Sequence, residues 1–313
     1  MSPTLRDIHE AAERIKPYTH RTPVMTRESL NLRVGAQVFL KCENFQKVGA
    51  FKFRGACNAV FSLTDTEAAR GVATHSSGNH AQALALAARM RGIPAYIVMP
   101  DNAPQVKMDA VAGYGGEITY CAPTLEAREA TLRRVVERTG AAFIHPFDNE
   151  RVIAGQGTAA LELLEDLPDL DAIIAPVGGG GLMSGTAIAA SEIKPGIRVI
   201  AGEPEMADDA YRSLKEGKIL PSENPKTIAD GLLTSLGKLT FPILQSRIEQ
   251  IVTVSEQGII DSMKFILERA KIVIEPSAAV AVGVLWEKKI DLTSLKVGVI
   301  LSGGNVDLGK LPW

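Results

Sequence analysis

Cysteine is scarce in this chain. Only Cys42, Cys57 and Cys121 occur among 313 residues, an odd number with no C-x-x-C pair. That excludes a disulfide framework and a cysteine zinc site, and it points to a reducing, cytoplasmic compartment. Excess charge is also lacking: 34 Lys and Arg face 36 Asp and Glu, a formal net charge of −2. No overall field therefore recruits nucleic acid or anionic lipid. The chain does not open with a basic-then-apolar leader. Its long uncharged run, Ala172 to Ser191, has five Gly and one Pro among 20 residues, a poor candidate for a bilayer span. The five histidines show no H-E-x-x-H spacing, no Gly-Lys pair precedes Ser or Thr, and G-x-S-x-G is absent. Zinc-protease, Walker A and α/β-hydrolase readings fall with those motifs. No solenoid-length repeat, low-complexity tract or long linker appears.

What is present is an ordinary soluble composition, 46% apolar and 22% charged. The length suits two α/β domains or one large one. An amphipathic helix is expected from about Leu5 to Ile15, with Ser2 as its cap and Pro3 in its first turn. Ala36 to Cys42 alternates as a strand does. One theme then recurs: an apolar strand, a loop of small residues, and often an Ala-rich helix. Strands are expected at Gly71–His75, Ala95–Met99, Asp171–Val177, Val199–Gly202 and Val297–Leu301. The first leads to a helix from Ala81 to Arg91, the second to one through Val111, and the third to one from Met183 to Glu192. Continuous β-branched runs alternating with helices predict doubly wound parallel sheets. The small-residue loops then lie at the strand C-termini, where open α/β sheets bind ligands. Boundaries between two units are expected near Thr64–Arg70 and His145–Asn149.

Four segments carry chemistry. Gly178-Gly179-Gly180-Gly181 lies between a strand and a helix N-terminus, so its bare amides and the helix dipole suit a phosphate. A tight turn would need only one or two glycines. G-x-G-x-x-G fails in every frame here, although Glu203 follows at a distance suited to a ribose. A dinucleotide oxidoreductase thus stays open as a remote reading, as does a non-catalytic small-molecule binding protein. Lys52 lies between two phenylalanines in Gly49-Ala50-Phe51-Lys52-Phe53-Arg54-Gly55. Desolvation there would lower its pKa and free the amine as a nucleophile. From these residues alone, a strand lysine reaching to solvent is the simpler account, and Arg54 reads as a surface or ion-pair residue. Ser76-Ser77-Gly78-Asn79-His80 offers hydroxyls, an amide and free N–H groups at a helix start, an anion site suited to a carboxylate. Ser302, in Ser302-Gly303-Gly304-Asn305 after the last strand, is either a turn former or a partner for a heterocyclic nitrogen. A desolvated lysine, a phosphate cradle, a carboxylate site and a ring-nitrogen partner are together what pyridoxal phosphate chemistry on amino acids needs.

On these segments, with Lys41-Cys42-Glu43-Asn44-Phe45-Gln46-Lys47, Thr227-Ile228-Ala229-Asp230-Gly231 and Leu301 to Asp307, the chain resembles the fold-type II pyridoxal-phosphate enzymes of the serine racemase and serine/threonine dehydratase group, nearly end to end. The resemblance implies a tryptophan-synthase-β-like fold with the active site between two doubly wound domains. The large domain would be residues 1–65 and 148–313, the small one 66–147. It implies that Lys52 carries the cofactor and is the base on one face of the substrate, with Ser77 the acid/base on the other. It implies that Asn79 bonds the cofactor's phenolic oxygen, Gly178 to Gly181 its phosphate and Ser302 its ring nitrogen. Ser76, Ser77, Asn79 and His80 would surround the substrate carboxylate. Glu203, Asp209 and the Ala207 carbonyl would hold Mg²⁺ or Ca²⁺. The implied reactions are racemisation of serine and β-elimination from L-serine or L-threonine to a 2-oxo acid and ammonia. Dehydration of threo-3-hydroxyaspartate is the alternative, because Ala50 does not decide between substrates. A neutral hydroxyl at Ser302 suits elimination or reprotonation better than transamination. Val48 stands where animal serine racemases usually have Thr near their ATP site, so ATP activation is not implied. A homodimer is implied. With Trp313 as the last residue, isoleucine feedback is not expected.

Overall fold

The computed structural model describes residues 2–103 and 105–313; Met1 of the predicted large domain and Pro104 of the predicted small one lie outside them. Ten strands are found among the described residues: β1 (Val24–Met25), β2 (Gln37–Cys42), β3 (Val72–His75), β4 (Ala95–Pro100), β5 (Glu117–Cys121), β6 (Ala142–Phe143), β7 (Ala172–Pro176), β8 (Arg198–Pro204), β9 (Gln250–Val254) and β10 (Lys296–Leu301). They form two sheets. The six-stranded sheet runs β1-β2-β10-β7-β8-β9 and the four-stranded one β5-β4-β3-β6. Every pairing is parallel except β1 with β2. This is the doubly wound α/β fold expected.

Each sheet has a point where the strand order reverses. In the large sheet the chain builds β7, β8 and β9 outward, then returns to lay β10 between β2 and β7. In the small sheet it builds β3, β4 and β5, then returns to place β6 on the other side of β3. Helices leave in opposite directions at such points, which opens a crevice at the strand C-termini. The loops after β7 and β10 flank one crevice, and those after β3 and β6 the other.

The large sheet is covered on both faces, which is why its strands read as continuous apolar runs. Along β7, Ile174 packs with Leu40, Val280 and Ile259 on one side, while Ile173 and Ala175 pack with Ile8, Leu163 and Ile188 on the other. Helix Pro276–Trp286 is apolar all round and buried through Leu285, as expected of a helix wedged between layers. The small sheet's core draws in Ile15, Phe53, Val60 and Val152 from outside 66–147.

Two local expectations are corrected. The opening helix Leu5–Ile15 is capped by Thr4, not Ser2. The Thr4 hydroxyl accepts from the Asp7 amide at 3.4 Å while the Asp7 carboxylate accepts from the Thr4 amide at 2.7 Å, a reciprocal box that satisfies two donors. From Ser2 the corresponding position is Leu5, which has nothing to return. The uncharged run Ala172 to Ser191 is strand, glycine turn and helix. No helix among the described residues is long and apolar enough to cross a membrane. Cys42, Cys57 and Cys121 are buried free thiols, and burial pushes Cys42 and Cys57 up to about 12.

Candidate active site

Lys52 is the first residue of helix Lys52–Phe61, not a strand lysine. The preceding residues are stitched to the strand end opposite. Phe51 N donates to Ser302 O at 3.0 Å, Ala50 bridges Gly303, and Gly304 N donates to Gly49 O at 2.9 Å. Val48 sits at φ 58°, a left-handed conformation costing a β-branched residue about 1–3 kcal/mol. Asn305 holds it there by donating Nδ2 to the Val48 carbonyl at 2.7 Å. The Lys52 amine donates to the Pro146 carbonyl at 2.8 Å and lies 5.2 Å from the Phe51 ring centre. Burial lowers its pKa to about 8, against the opposing pull of Glu275.

The helix begins without a side-chain cap, yet its first turn is fixed by Arg54. This guanidinium is fully buried and makes two bonds to Glu43, at 2.7 and 2.8 Å, and two to Glu162, also at 2.7 and 2.8 Å. Lys41, equally buried, adds a fourth charge through Glu162 at 2.6 Å. Two cations thus face two carboxylates, which removes the cost of an unpaired buried charge. The ion-pair reading of Arg54 holds and the surface reading does not.

Gly178 to Gly181 follow β7 and run into helix Gly181–Ile193, whose first-turn amides lack intrahelical acceptors. The two central positions have no room for a side chain and the outer two are tight. A Cβ on Gly179 would lie 2.3 Å from the Phe147 ring, one on Gly180 2.8 Å from Thr240, and one on either end 3.0 Å from Leu232 or Phe147. Gly180 also has φ +88°. The loop is a concave set of amides at a helix N-terminus, the geometry that holds an oxyanion.

Ser76, Ser77 and Gly78 form the turn after β3, and Asn79 opens helix Asn79–Arg91, two residues before the expected start. All four are half-buried. Ser76 Oγ accepts from Gly78 N at 3.3 Å. Asn79 donates to both oxygens of Glu275, at 3.0 and 3.1 Å, and its own oxygen accepts from Asn305 at 2.9 Å. Glu275 is buried, which raises its carboxyl to about 7, and its amide donates to Gly303 O at 3.0 Å. Glu275 ties Asn79 to the Ser302 strand end, and no motif marked it. His80 is turned into the small sheet's core. Its Nε2 faces the Ile144 carbonyl at 3.2 Å, Nδ1 has no partner, and burial holds its pKa well below the usual range. Burial lowers the pKa of His75 against the pull of Glu129, with a smaller lowering from Arg128, whose buried Nε lacks a partner. Ser302 is itself buried.

The structure therefore gathers Lys52, Asn79, Ser302 and both loops at the two crevices. Glu203, Ala207 and Asp209 lie apart, at the end of β8 and the start of helix Asp209–Glu216. Glu203 accepts from the amides of Ala210 and Tyr211, both at 2.8 Å, and burial pushes its carboxyl up to about 9. Asp209 is buried with neither oxygen in a hydrogen bond of good geometry. Burial raises it to about 6, against the pull of the Ser222 hydroxyl. Among the described residues no three His, Cys, Asp or Glu side chains converge as metal ligands, so a cation here would need a carbonyl as third donor.

Comparison with known proteins agrees with this geometry. Residues 15–303 match the family described as pyridoxal-phosphate dependent enzyme. A β-hydroxyaspartate dehydratase from Paracoccus denitrificans is 53% identical over 311 residues, covering 99% of each chain. A serine racemase from Dictyostelium discoideum is 51% identical over 312 residues, covering 98% of this chain and 96% of its own. The structure of maize serine racemase superposes with a TM-score of 0.97 at 48% identity, covering 99% of this chain and 95% of that one. The match displaces the dinucleotide and non-catalytic readings: the chain belongs to the pyridoxal-phosphate dependent enzymes.

Proposed function

We propose that this protein racemises serine and eliminates water from L-serine and L-threonine, giving a 2-oxo acid and ammonia. One observation carries the reading: a lysine of depressed pKa stands where a side-chain-free phosphate cradle and a hydroxyl-rich helix start converge. The serine racemases among its relatives support it.

The residues fit the cofactor. The Gly178–Gly181 amides suit its phosphate, buried Ser302 would offer a neutral hydroxyl to the ring nitrogen, and Asn79, held by Glu275 and Asn305, would bond its phenolic oxygen. Bound pyridoxal phosphate supplies an electron sink that acidifies the substrate's α-proton. Lys52 attaches the cofactor and then takes that proton. A pKa near 8 leaves part of the amine unprotonated at neutral pH, as a general base requires. Ser76, Asn79 and the helix-start amides bind the substrate carboxylate. His80, turned inward, supports that loop through Ile144. Ser77 delivers or accepts the proton on the opposite face.

Glu203, Asp209 and the Ala207 carbonyl hold Mg²⁺ or Ca²⁺. The support is Asp209, a buried carboxylate whose two oxygens lack good protein partners beside a second buried acid. We also propose the division into units 1–65 with 148–313 and 66–147, a cytoplasmic location, and a homodimer. A second reading, dehydration of threo-3-hydroxyaspartate, is favoured by the Paracoccus relative. The test measures ammonia, 2-oxo acid and enantiomer composition across serine, threonine and both 3-hydroxyaspartate diastereomers. Serine and threonine turnover with D-serine formation supports the first reading. Turnover confined to 3-hydroxyaspartate replaces it with the second.

A further inference from the structure

The turn His145-Pro146-Phe147-Asp148, which follows β6, touches both the lysine and the glycine loop of the site. The Pro146 carbonyl accepts from Lys52 at 2.8 Å. The Phe147 ring fills the space over Gly179, and its backbone and Cβ approach Gly181. Asp148 accepts from the amides of Lys238 at 3.0 Å and Leu239 at 2.8 Å. Thr240, which follows directly and opens the next helix, donates its hydroxyl to Gly179 O at 2.9 Å. Four consecutive residues thus connect the small sheet, the lysine, the glycine loop and the segment behind that loop.

What shapes the turn is the side chain of its first residue. His145 Nδ1 accepts from Phe147 N at 3.3 Å and from Asp148 N at 2.9 Å. Two donors on one nitrogen leave it no proton, so the ring proton sits on Nε2. The ring is packed edge-on to Phe147 at 4.6 Å and to His75 at 6.2 Å. Burial keeps the imidazole neutral, with a pKa near 4.

We propose that His145 is a positioning residue: its bare Nδ1 curls the turn so that Pro146 O meets the Lys52 amine and Phe147 closes over the glycine cradle. The carbonyl is then a fixed acceptor that aims the amine. Without the two N–H bonds the turn loses its curvature, and the lysine and cradle drift together. A misplacement of about 1 Å costs up to about 100-fold in rate.

The proposal rests on the reading of Lys52 as the cofactor-bearing residue, and its test separates the two. The holoenzyme and three variants, His145→Asn, His145→Gln and His145→Leu, are compared by thermal melting, kcat, KM and the pH titration of the visible band of the lysine-bound cofactor. Asn places its oxygen where Nδ1 lies, as in an Asx turn, whereas Gln reaches beyond it. His145→Asn should keep most of the rate and the wild-type titration. His145→Gln and His145→Leu should lose about 10- to 100-fold in kcat with KM little changed, and their titration should move beyond the scatter of the wild-type measurement. Equal behaviour of the Asn and Leu variants, or wild-type titrations in all three, overturns the proposal. If the Leu variant fails to fold, Asn against Gln decides. A wild-type band with no turnover of any hydroxy amino acid would refute the proposed reactions and leave this comparison intact. Absence of the band overturns both.

Discussion

Two loops meet at this site, each after the strand where its own sheet reverses, and they are built in opposite ways. Gly178–Gly181 is buried and hemmed in: a single methyl on Gly179 would collide with Phe147 at 2.3 Å. Ser76–Asn79 is half-exposed, and a methyl on Gly78 would meet nothing within 4 Å. The difference follows from what each loop binds in the proposed reaction. The cofactor's phosphate is the same in every turnover, so its cradle is closed and fixed in advance. The substrate arrives, reacts and leaves, so its loop keeps room and carries hydroxyl side chains.

The comparison breaks most severely at Lys52, which both loops serve. Lys52→Ala should abolish racemisation and elimination, a loss of about 10⁴-fold or more, because it removes both the attachment and the base. The fold should persist, since Arg54 and not Lys52 anchors the helix start; circular dichroism and melting check this. Ser77→Ala sharpens the substrate side. D-serine formation should fall about 10²–10⁴-fold, whereas dehydration of the L-enantiomer should fall much less, because elimination from that face does not need Ser77. Equal losses in both assays would make Ser77 a binding residue. On the cradle side, Gly179→Ala should cost about 1–3 kcal/mol by overpacking against Phe147 and weaken cofactor binding. Gly78→Ala should lower the melting temperature far less. Similar losses from the two would erase the distinction between the loops. The smallest effect concerns the acids at β8. Thorough chelation should lower the melting temperature and Mg²⁺ or Ca²⁺ should restore it. A cation at a hundred times its dissociation constant stabilises by about 2.7 kcal/mol. An unchanged melting curve would remove the cation from Glu203 and Asp209.

How much of this was legible in the sequence differs between the same two loops. The four glycines announce themselves because a contiguous run exceeds what any turn requires, and strand-loop-helix periodicity places them correctly. Ser76–His80 was equally visible as a helix start, although Asn79 begins that helix earlier than its Ala run suggests. What stayed hidden depends on long-range contact. Glu275 meets Asn79 across 196 residues, in a segment without a motif. Arg54 reads as a surface or ion-pair residue with no partner named until Glu43 and Glu162 are brought to it from two other elements. The inward turn of His80 is set by Ile144. The strands β5 and β9 and the two-residue strands β1 and β6 escaped because their apolar runs are short or interrupted.

The central claim is that Lys52 bears the cofactor where the two loops converge. Borohydride reduction of the holoenzyme, followed by peptide mass spectrometry, tests it most directly. The account predicts a pyridoxyl adduct on Lys52 alone, with loss of the visible band. An adduct on any other lysine, or none at all while the band disappears, would contradict it.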